Sequence, residues 1–458
     1  MVKDMTRGSV AKCFLTFAFS YMLTSMLTYI YSFTDSIMVS HYVGEYALGA
    51  IGAISPIAST LHSFFQATVA GFSVIAGRSV GEGNTERVSS IVKNSVLLTL
   101  ISTVPIAILS TILTNPLIAA MNISDGFSST SRICFIFSMI SIPISTLSAM
   151  YASMFRALGD SATPTKISIA SGFLNVVFNF ILLRIIPLGV AGASLGSVLA
   201  ALAGLIAYIA FAKRNIPILT IKIRELRFDS TLSRELLSFG LPLGLLSAII
   251  AFSSVMLQAS VNTFSDTVVT GISLGDRLLT LVWQIICAFE SSLLFFGSQN
   301  AGAGNFKRIK SGYRICTASM LICGAVFAVL FITCGGWICK LFIKDIGSSG
   351  SIDVIKYATS YLSTQIVFFP FMASLASLRG FIKGVTLSRS VVFCGVVEIL
   401  SRAVVLLLSK ASSISEDVRL KIIYLANPAA WICVSIFLLA LLLGYIKKNR
   451  ELNVFSFK

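Results

Sequence analysis

The sequence is poor in charge, and poorest in acid. Only 12% of its 458 residues are charged, with 19 Asp and Glu against 35 Lys and Arg. A soluble chain carries about 25% charged residues, so a surface wetted on all sides is excluded. Histidine occurs twice, as His41 and His62. No cluster of His, Cys or acid stands at an expected membrane face, which argues against an integral-membrane enzyme. No Gly-Lys-Ser/Thr phosphate loop occurs, so ATP is not expected to drive any work, and no cofactor is expected. The nine cysteines are scattered through apolar runs. Cys334 and Cys339 lie close together, but no third ligand joins them, and the set reads as small core residues rather than disulfides or a metal site. A cleavable leader is not expected. The basic start "MVKDMTRGSVAK" runs into an apolar stretch too long for one.

What the chain has instead is hydrophobic length. Apolar residues make up 56% and mean hydropathy is +0.90. A helix needs about 20 apolar residues to span a bilayer. Twelve runs qualify, at 11–39, 47–75, 89–115, 130–155, 163–186, 189–212, 231–262, 267–296, 311–343, 354–378, 386–410 and 420–446. With the N-terminus inside, the inner segments hold 25 of the 35 basic residues, Lys3, Arg450 and Lys458 among them. This bias favours an even-numbered bundle in the plasma membrane with both termini cytoplasmic. The net charge of +16 then belongs to lipid-facing loops. The partner expected is the bilayer, not nucleic acid.

A phrase recurs. "GRSVGEGNTERV" (77–88) and "SQNAGAGNFKRI" (298–309) align at an offset of 221 residues, matching at Gly, Gly, Asn and Arg. Each copy follows the second helix of a half and reads as an inner turn. The charged loop at 213–230 divides the helices six and six. The expected fold is all-α, with two pseudo-symmetric six-helix lobes, 1–218 and 219–458. Parallel repeats, few intramembrane carboxylates and no enzymatic motif point to a secondary transporter.

Six phrases in register carry a family resemblance: "FTDSIMVSHYVGEYALGAIG" (33–52), "FRALGDSATPTKIS" (155–168), "GVAGASLGSV" (189–198), "SFGLPLGL" (238–245), "SQNAGAGNFKRIKSGYR" (298–314) and "GVVEILSRAV" (395–404). Over nearly its whole length the chain resembles the multidrug and toxic compound extrusion family. The resemblance implies two lobes around a V-shaped cavity and cation-driven efflux of amphipathic organic cations by alternating access, by a monomer. The alternative in the same superfamily is a lipid-linked oligosaccharide flippase. Such flippases need a strongly cationic cavity, whereas the intramembrane groups here are mostly acidic.

The residues alone leave Asp35 open between an interfacial carboxylate and a buried functional one. The resemblance places it at the family's first-lobe acid. Asn175 and Asn179 share a helix face, and the resemblance sets them, with Ser197, beside Asp35. Many members carry an acid where this chain has Asn179. These four oxygen-bearing residues form the expected coupling site, for a proton or for Na+. One carboxylate among neutral oxygens would hold sodium weakly, which favours the proton. Asp276 and Glu290 lie almost four turns apart on one face and are expected to line a second-lobe cavity and attract cations. Glu398 is a further cavity acid, although Arg402 four residues on suits a self-neutralising pair. Ile250 stands where some members have an acid, which argues against their sodium site in that lobe. Tyr31, Phe64 and Phe65 are candidates for stacking on planar cations.

The topology is directly testable. A cysteine placed at Lys222 should stay unlabelled by an impermeant maleimide in intact cells and react once the membrane is opened. Strong labelling from outside would overturn the six-plus-six arrangement.

Overall fold

The computed structural model describes residues 4–120, 125–342, 349–386, 389–410 and 415–448. Lys3, Arg450 and Lys458 of the basic count, and both chain ends, lie outside the described residues. Among the described residues the regular structure is helical throughout, with no strand. The α-helices are α1 Val10–Tyr42, α2 Glu45–Gly81, α3 Thr85–Ile112, α4 Thr114–Ala120, α5 Asp125–Ala157, α6 Ala162–Phe180, α7 Val190–Asn215, α8 Ser230–Val261, α9 Asp266–Gly302, α10 Phe306–Lys340, α11 Ser349–Val367, α12 Phe369–Phe381, α13 Phe393–Leu408, α14 Glu416–Tyr424 and α15 Ala426–Lys448. By length and composition, ten spans among the described residues qualify as membrane-crossing, or eleven when the bent pair of α11 and α12 counts as one. The 37-residue α2 occupies the second of the twelve expected positions.

The apolar run at 354–378 is not one straight helix. It breaks at Phe368, and its two parts meet at 56°. Pro370, in the first turn of α12, has no N–H to give and disfavours a helical residue before it. Both α6 and α12 end in π-helical turns, Ile181–Ile185 and Ile382–Thr386.

Backbone contacts divide the chain into two units. The first is Met1–Ala248 with Ser298–Asn305; the second is Ile249–Gly297 with Phe306–Lys458. In the first, α5 packs on α2, α3 and α7, and α6 packs on α1 and α7; in the second, α15 packs on α12 and α13. Between lipid-embedded helices the apolar effect supplies little, so close backbone approach matters more. Gly71 of α2 lies against Gly240 of α8, and Gly192 of α7 against the Leu182 carbonyl. The first-unit core gathers Phe135, Met139 and Ile142 of α5 with Val39, Ile54, Phe65 and Ala193.

The charged loop after α7 is tied down by polar contacts within the same unit. Lys93 and Lys222 reach Glu225 at 2.9 and 3.1 Å. Hydrogen bonds from Lys93 and then Lys222 hold the Glu225 carboxyl below its usual range. Asn94 Oδ1 accepts from the Asp229 N–H at 3.0 Å and from the Ser233 hydroxyl at 3.2 Å.

The repeated phrase has the same backbone in both copies. The N–H groups of Glu82, Gly83 and Asn84 donate to the carbonyls of Arg78, Val80 and Ser79; those of Ala303, Gly304 and Asn305 donate to Gln299, Ala301 and Asn300. Every donor and acceptor is shifted by 221 residues. Gly83 and Gly304 take φ of 75° and 69°, the left-handed conformation that favours glycine at a helix end. Asn84 then caps α3, its side chain accepting from the Arg87 N–H at 2.9 Å.

The two copies also meet. A Cβ at Gly81 would strike the Gln299 carbonyl, one at Gly302 would strike the Arg78 carbonyl, and one at Gly77 would strike Ser298. Arg78 and Gln299, Gly81 and Gly302, and Gly77 and Ser298 are each related by the 221-residue offset. The contact is therefore reciprocal, with a local two-fold between Gly77 and Ser298. The segment before α1 is strapped onto the second copy. Gln299 Oε1 accepts from the Met5 N–H at 3.2 Å, Gln299 Nε2 donates to the Ala157 carbonyl at 2.6 Å, and Asn300 Nδ2 donates to the Met5 carbonyl at 3.2 Å.

These glycines make separable demands. Gly83→Ala should cost roughly 1–2 kcal/mol through its positive φ alone. Gly81→Val, which forces two backbones apart, should cost more. Thermal unfolding of the detergent-solubilised protein ranks them. Equal melting temperatures for Gly81→Val and the wild type would refute the close contact.

Candidate functional site

In the first unit, helical spacing brings four polar residues together within apolar surroundings. Asp35 projects from α1, Asn175 and Asn179 from one face of α6, and Ser197 from α7. Asn179 is fully buried. Its Nδ2 donates to Asp35 Oδ1 and lies 3.5 Å from Asn175 Oδ1. Asn175 Nδ2 donates to Ser197 Oγ at 3.2 Å, and Ser197 Oγ donates to the Ala193 carbonyl at 3.3 Å. Asp35 to Ser197 is thus one hydrogen-bonded chain. Gly196 makes it possible, because a Cβ there would occupy the place of Asn179 Oδ1. That oxygen has no hydrogen-bond partner among the described residues.

Asp35 and Ser197 open onto a cavity of about 350 Å³. Its wall includes Ser55, Ser59 and His62 of α2, Cys134, Ser138 and Ser141 of α5, and Ser194 of α7. His62 Nε2 lies 3.3 Å from Ser141 Oγ, and Nδ1 lies 3.3 Å from Ser145 Oγ. These residues were not singled out from the sequence, yet a signal exists. Ser55, Ser59 and His62, and likewise Ser138, Ser141 and Ser145, recur at helical spacing within apolar runs, and each set therefore makes a polar stripe.

The second unit has a cavity of about 200 Å³, lined by Asp276, Glu398 and Arg402 with Trp283, Tyr361 and Asn427. Asp276 is exposed on its wall and accepts from the Tyr361 hydroxyl at 3.1 Å. Asn427 Nδ2 donates to the same hydroxyl at 3.2 Å. Glu398 and Arg402 close as a buried i,i+4 ion pair at 2.9 Å. Arg402 also donates to Ser253 Oγ at 2.9 Å. The cavity carries two carboxylates against one guanidinium.

Glu290 is not placed with Asp276 in that wall, in contrast to the expectation from helical spacing. Arg379 grips it with two bonds of 2.8 and 2.6 Å, and Lys383 reaches it at 2.9 Å. Gly380 allows the close approach, since a Cβ there would strike the Glu290 carbonyl. The carboxylate is buried and over-neutralised, so it offers no field to a cation. The expected aromatics are elsewhere too, and none lines either cavity. The Tyr31 hydroxyl donates to the Ile169 carbonyl at 3.3 Å, with its ring on Gly172. Phe65 is in the core, with Phe64 edge-on to it at 5.1 Å. The physical reason is shared: each aromatic fills a space that a neighbouring helix leaves, on the packed side of its own helix.

Several known proteins are similar to this chain. A family model described as MatE matches residues 21–181 and 242–408. The probable multidrug resistance protein YpnP of Bacillus subtilis is 24% identical, covering 83% of this chain and 84% of its own length. A protein of Shewanella oneidensis named as an FAD transporter is 24% identical over 64% of this chain and 65% of its own length. Among solved structures, the outward-facing conformation of a multidrug resistance MATE family transporter of the MOP superfamily aligns with a TM-score of 0.87 at 17% identity, covering 98% of each chain. That likeness carries the fold.

The buried ion cluster yields a stability prediction. Removing one partner of a buried pair costs about 3–5 kcal/mol, because it strands the other charge. Glu290→Gln leaves Arg379 and Lys383 facing each other and should lower the melting temperature markedly. Glu235→Gln, at the exposed Arg87 pair, should have little effect. Similar melting curves for the two variants would refute the cluster's structural role.

Proposed function

Because the chain belongs to the MatE family of membrane transporters, we propose that it is a cation-coupled efflux antiporter, exporting amphipathic organic cations by alternating access. It works in the cell membrane with both termini in the cytoplasm, as the basic-residue bias supports. The observation that carries the reading is Asp35, a carboxylate within a spanning helix that opens onto a cavity and, among the described residues, is hydrogen-bonded only to the neutral Asn179 amide. An acid in such a place is costly unless it serves a pathway.

The coupling ion is the proton. A sodium ion needs several oxygens converging on it. Here Asn179 turns its N–H toward Asp35 and its oxygen toward Gly196. Asn175 and Ser197 spend their groups on each other and on the Ala193 carbonyl. The donor set fits a carboxylate that gains and loses a proton better than a cage for a metal ion. An amide also serves both states, since it can donate to the ionised form or accept from the protonated form.

The substrate class follows from the second-unit cavity. Two acids against one guanidinium, with Trp283, Trp431 and Tyr361 in the wall, favour a lipophilic cation over an anion. The relative named as an FAD transporter makes a flavin nucleotide the informative competitor.

Everted vesicles test the reading. Under a pH gradient alone, wild-type vesicles should move a lipophilic cationic dye and leave FAD, and Asp35→Asn at equal expression should abolish transport. Full dye transport by Asp35→Asn would remove Asp35 from coupling. Transport driven only by a sodium gradient would replace the proton, and transport of FAD alone would replace the substrate class.

A further inference from the structure

We propose that His62 is a second proton-carrying group of this antiporter, exchanging protons in the same cavity as Asp35. The proposal rests on the reading of Asp35 given above and extends it to a residue on another helix.

Three observations support it. First, His62 shares one cavity with Asp35, and the wall between them is rich in hydroxyls: Ser55, Ser59, Ser138, Ser141, Ser194 and Ser197. Hydroxyls both donate and accept, and the volume of about 350 Å³ leaves ample room for a chain of waters. Second, among the described residues no ion pair fixes the ring's state. The titratable groups in the cavity wall are Asp35 from α1, His62 itself from α2 and Cys134 from α5; α7 contributes only serines and apolar residues, and α3 contributes none of the lining.

Third, the hydroxyls facing the ring are arranged for a change of state. Ser141 Oγ donates to the Ser138 carbonyl at 2.7 Å, and Ser145 Oγ donates to the Ile142 carbonyl at 3.2 Å. Each hydroxyl has one hydrogen, which it can give either to its backbone carbonyl or to the ring. With both hydroxyls turned to their carbonyls, both ring nitrogens can donate, which suits the imidazolium. The neutral ring has one N–H and one lone pair. It needs only one hydroxyl to leave its carbonyl and turn to the ring, and Ser145, with the longer carbonyl bond, is the easier one to turn.

The proton balance is simple. An incoming proton bonds to the ring's lone pair, and the hydroxyl that had donated there returns to its backbone carbonyl. On release that N–H bond breaks, and the proton passes to a cavity water or hydroxyl. Nothing is oxidised or reduced, and no other bond changes.

The same vesicles carry the test, with His62→Gln and Asp35→Asn read side by side. His62→Gln keeps polar contacts with the serines but cannot exchange a proton. Its protons exchanged per dye cation should halve. The pH profile of the efflux rate should also change, losing the step that His62 contributes within the range where histidines titrate, about pH 5–8. With Asp35→Asn inactive, an unchanged stoichiometry and pH profile in His62→Gln overturn the role of His62 and leave the coupling reading standing. Full efflux by Asp35→Asn sinks the coupling reading itself, whatever His62→Gln does. A second measurement covers failure of His62→Gln to fold. The chain has two histidines, so His41→Gln leaves a single ring to follow by NMR in the purified protein. That ring should titrate, and its midpoint should move when Asp35→Asn is added. A ring that keeps one protonation state across the range, or a midpoint indifferent to Asp35, overturns the proposal.

Discussion

A carboxylate far from the ends of a membrane-spanning helix must be compensated, and Asp35, Asp276, Glu290 and Glu398 are compensated in two different ways. Glu290 and Glu398 are buried, and each is matched by cations: Arg379 and Lys383 for the first, Arg402 for the second. Asp35 and Asp276 open onto cavities, and each has a neutral hydrogen-bond partner, the Asn179 amide or the Tyr361 hydroxyl. Burying a charge beside a counter-ion fixes its state, because separating the pair would strand a charge in a low-dielectric interior. A carboxylate held by a neutral group on a cavity wall keeps its state open to exchange. Glu290 therefore reads as structure, Glu398 lines its cavity already neutralised by Arg402, and Asp35 and Asp276 face their cavities without a counter-ion among the described residues.

The second constraint is closeness of backbone. Lipid tails are as apolar as the side chains they meet, so helix association depends on packing and on hydrogen bonds. The glycines of the repeated phrase serve this twice over. Gly83 and Gly304 close the turns, while Gly81 and Gly302 let one copy lie on the carbonyl of the other. A sequence repeat 221 residues apart thus becomes a physical contact in the first unit. That the segment around Met5 is strapped to the same place by Gln299 and Asn300 makes it a junction of three parts of the chain.

Much of this was legible in the sequence, and what was not has definite causes. The helices follow from apolar length, and the break at Phe368 could have been read from Pro370. Asp35, Asn175, Asn179 and Ser197 could be grouped because two of them share a helix face and the family resemblance sets all four together. The assignment of Glu290 to a cavity wall failed for a different reason. Periodicity tells which residues share a face, not what stands opposite. Its partners lie 89 and 93 residues further along the chain, beyond any local pattern. His62 was passed over because it was read as one of too few histidines for an enzyme. The serine stripes on α2 and α5 that surround it were in plain view.

The contrast between the two cavities bears on how a coupled transporter divides its work. On the reading proposed above, the first-unit wall has hydroxyls, one carboxylate and one imidazole, with no fixed cation in it. It suits a species that hops between neutral groups, such as a proton. The second-unit wall combines two carboxylates, a guanidinium and several large aromatic rings. A proton gains nothing from an indole face, whereas a planar organic cation gains both stacking and charge attraction. Placing coupling ion and substrate in chemically different cavities lets each site be tuned without spoiling the other.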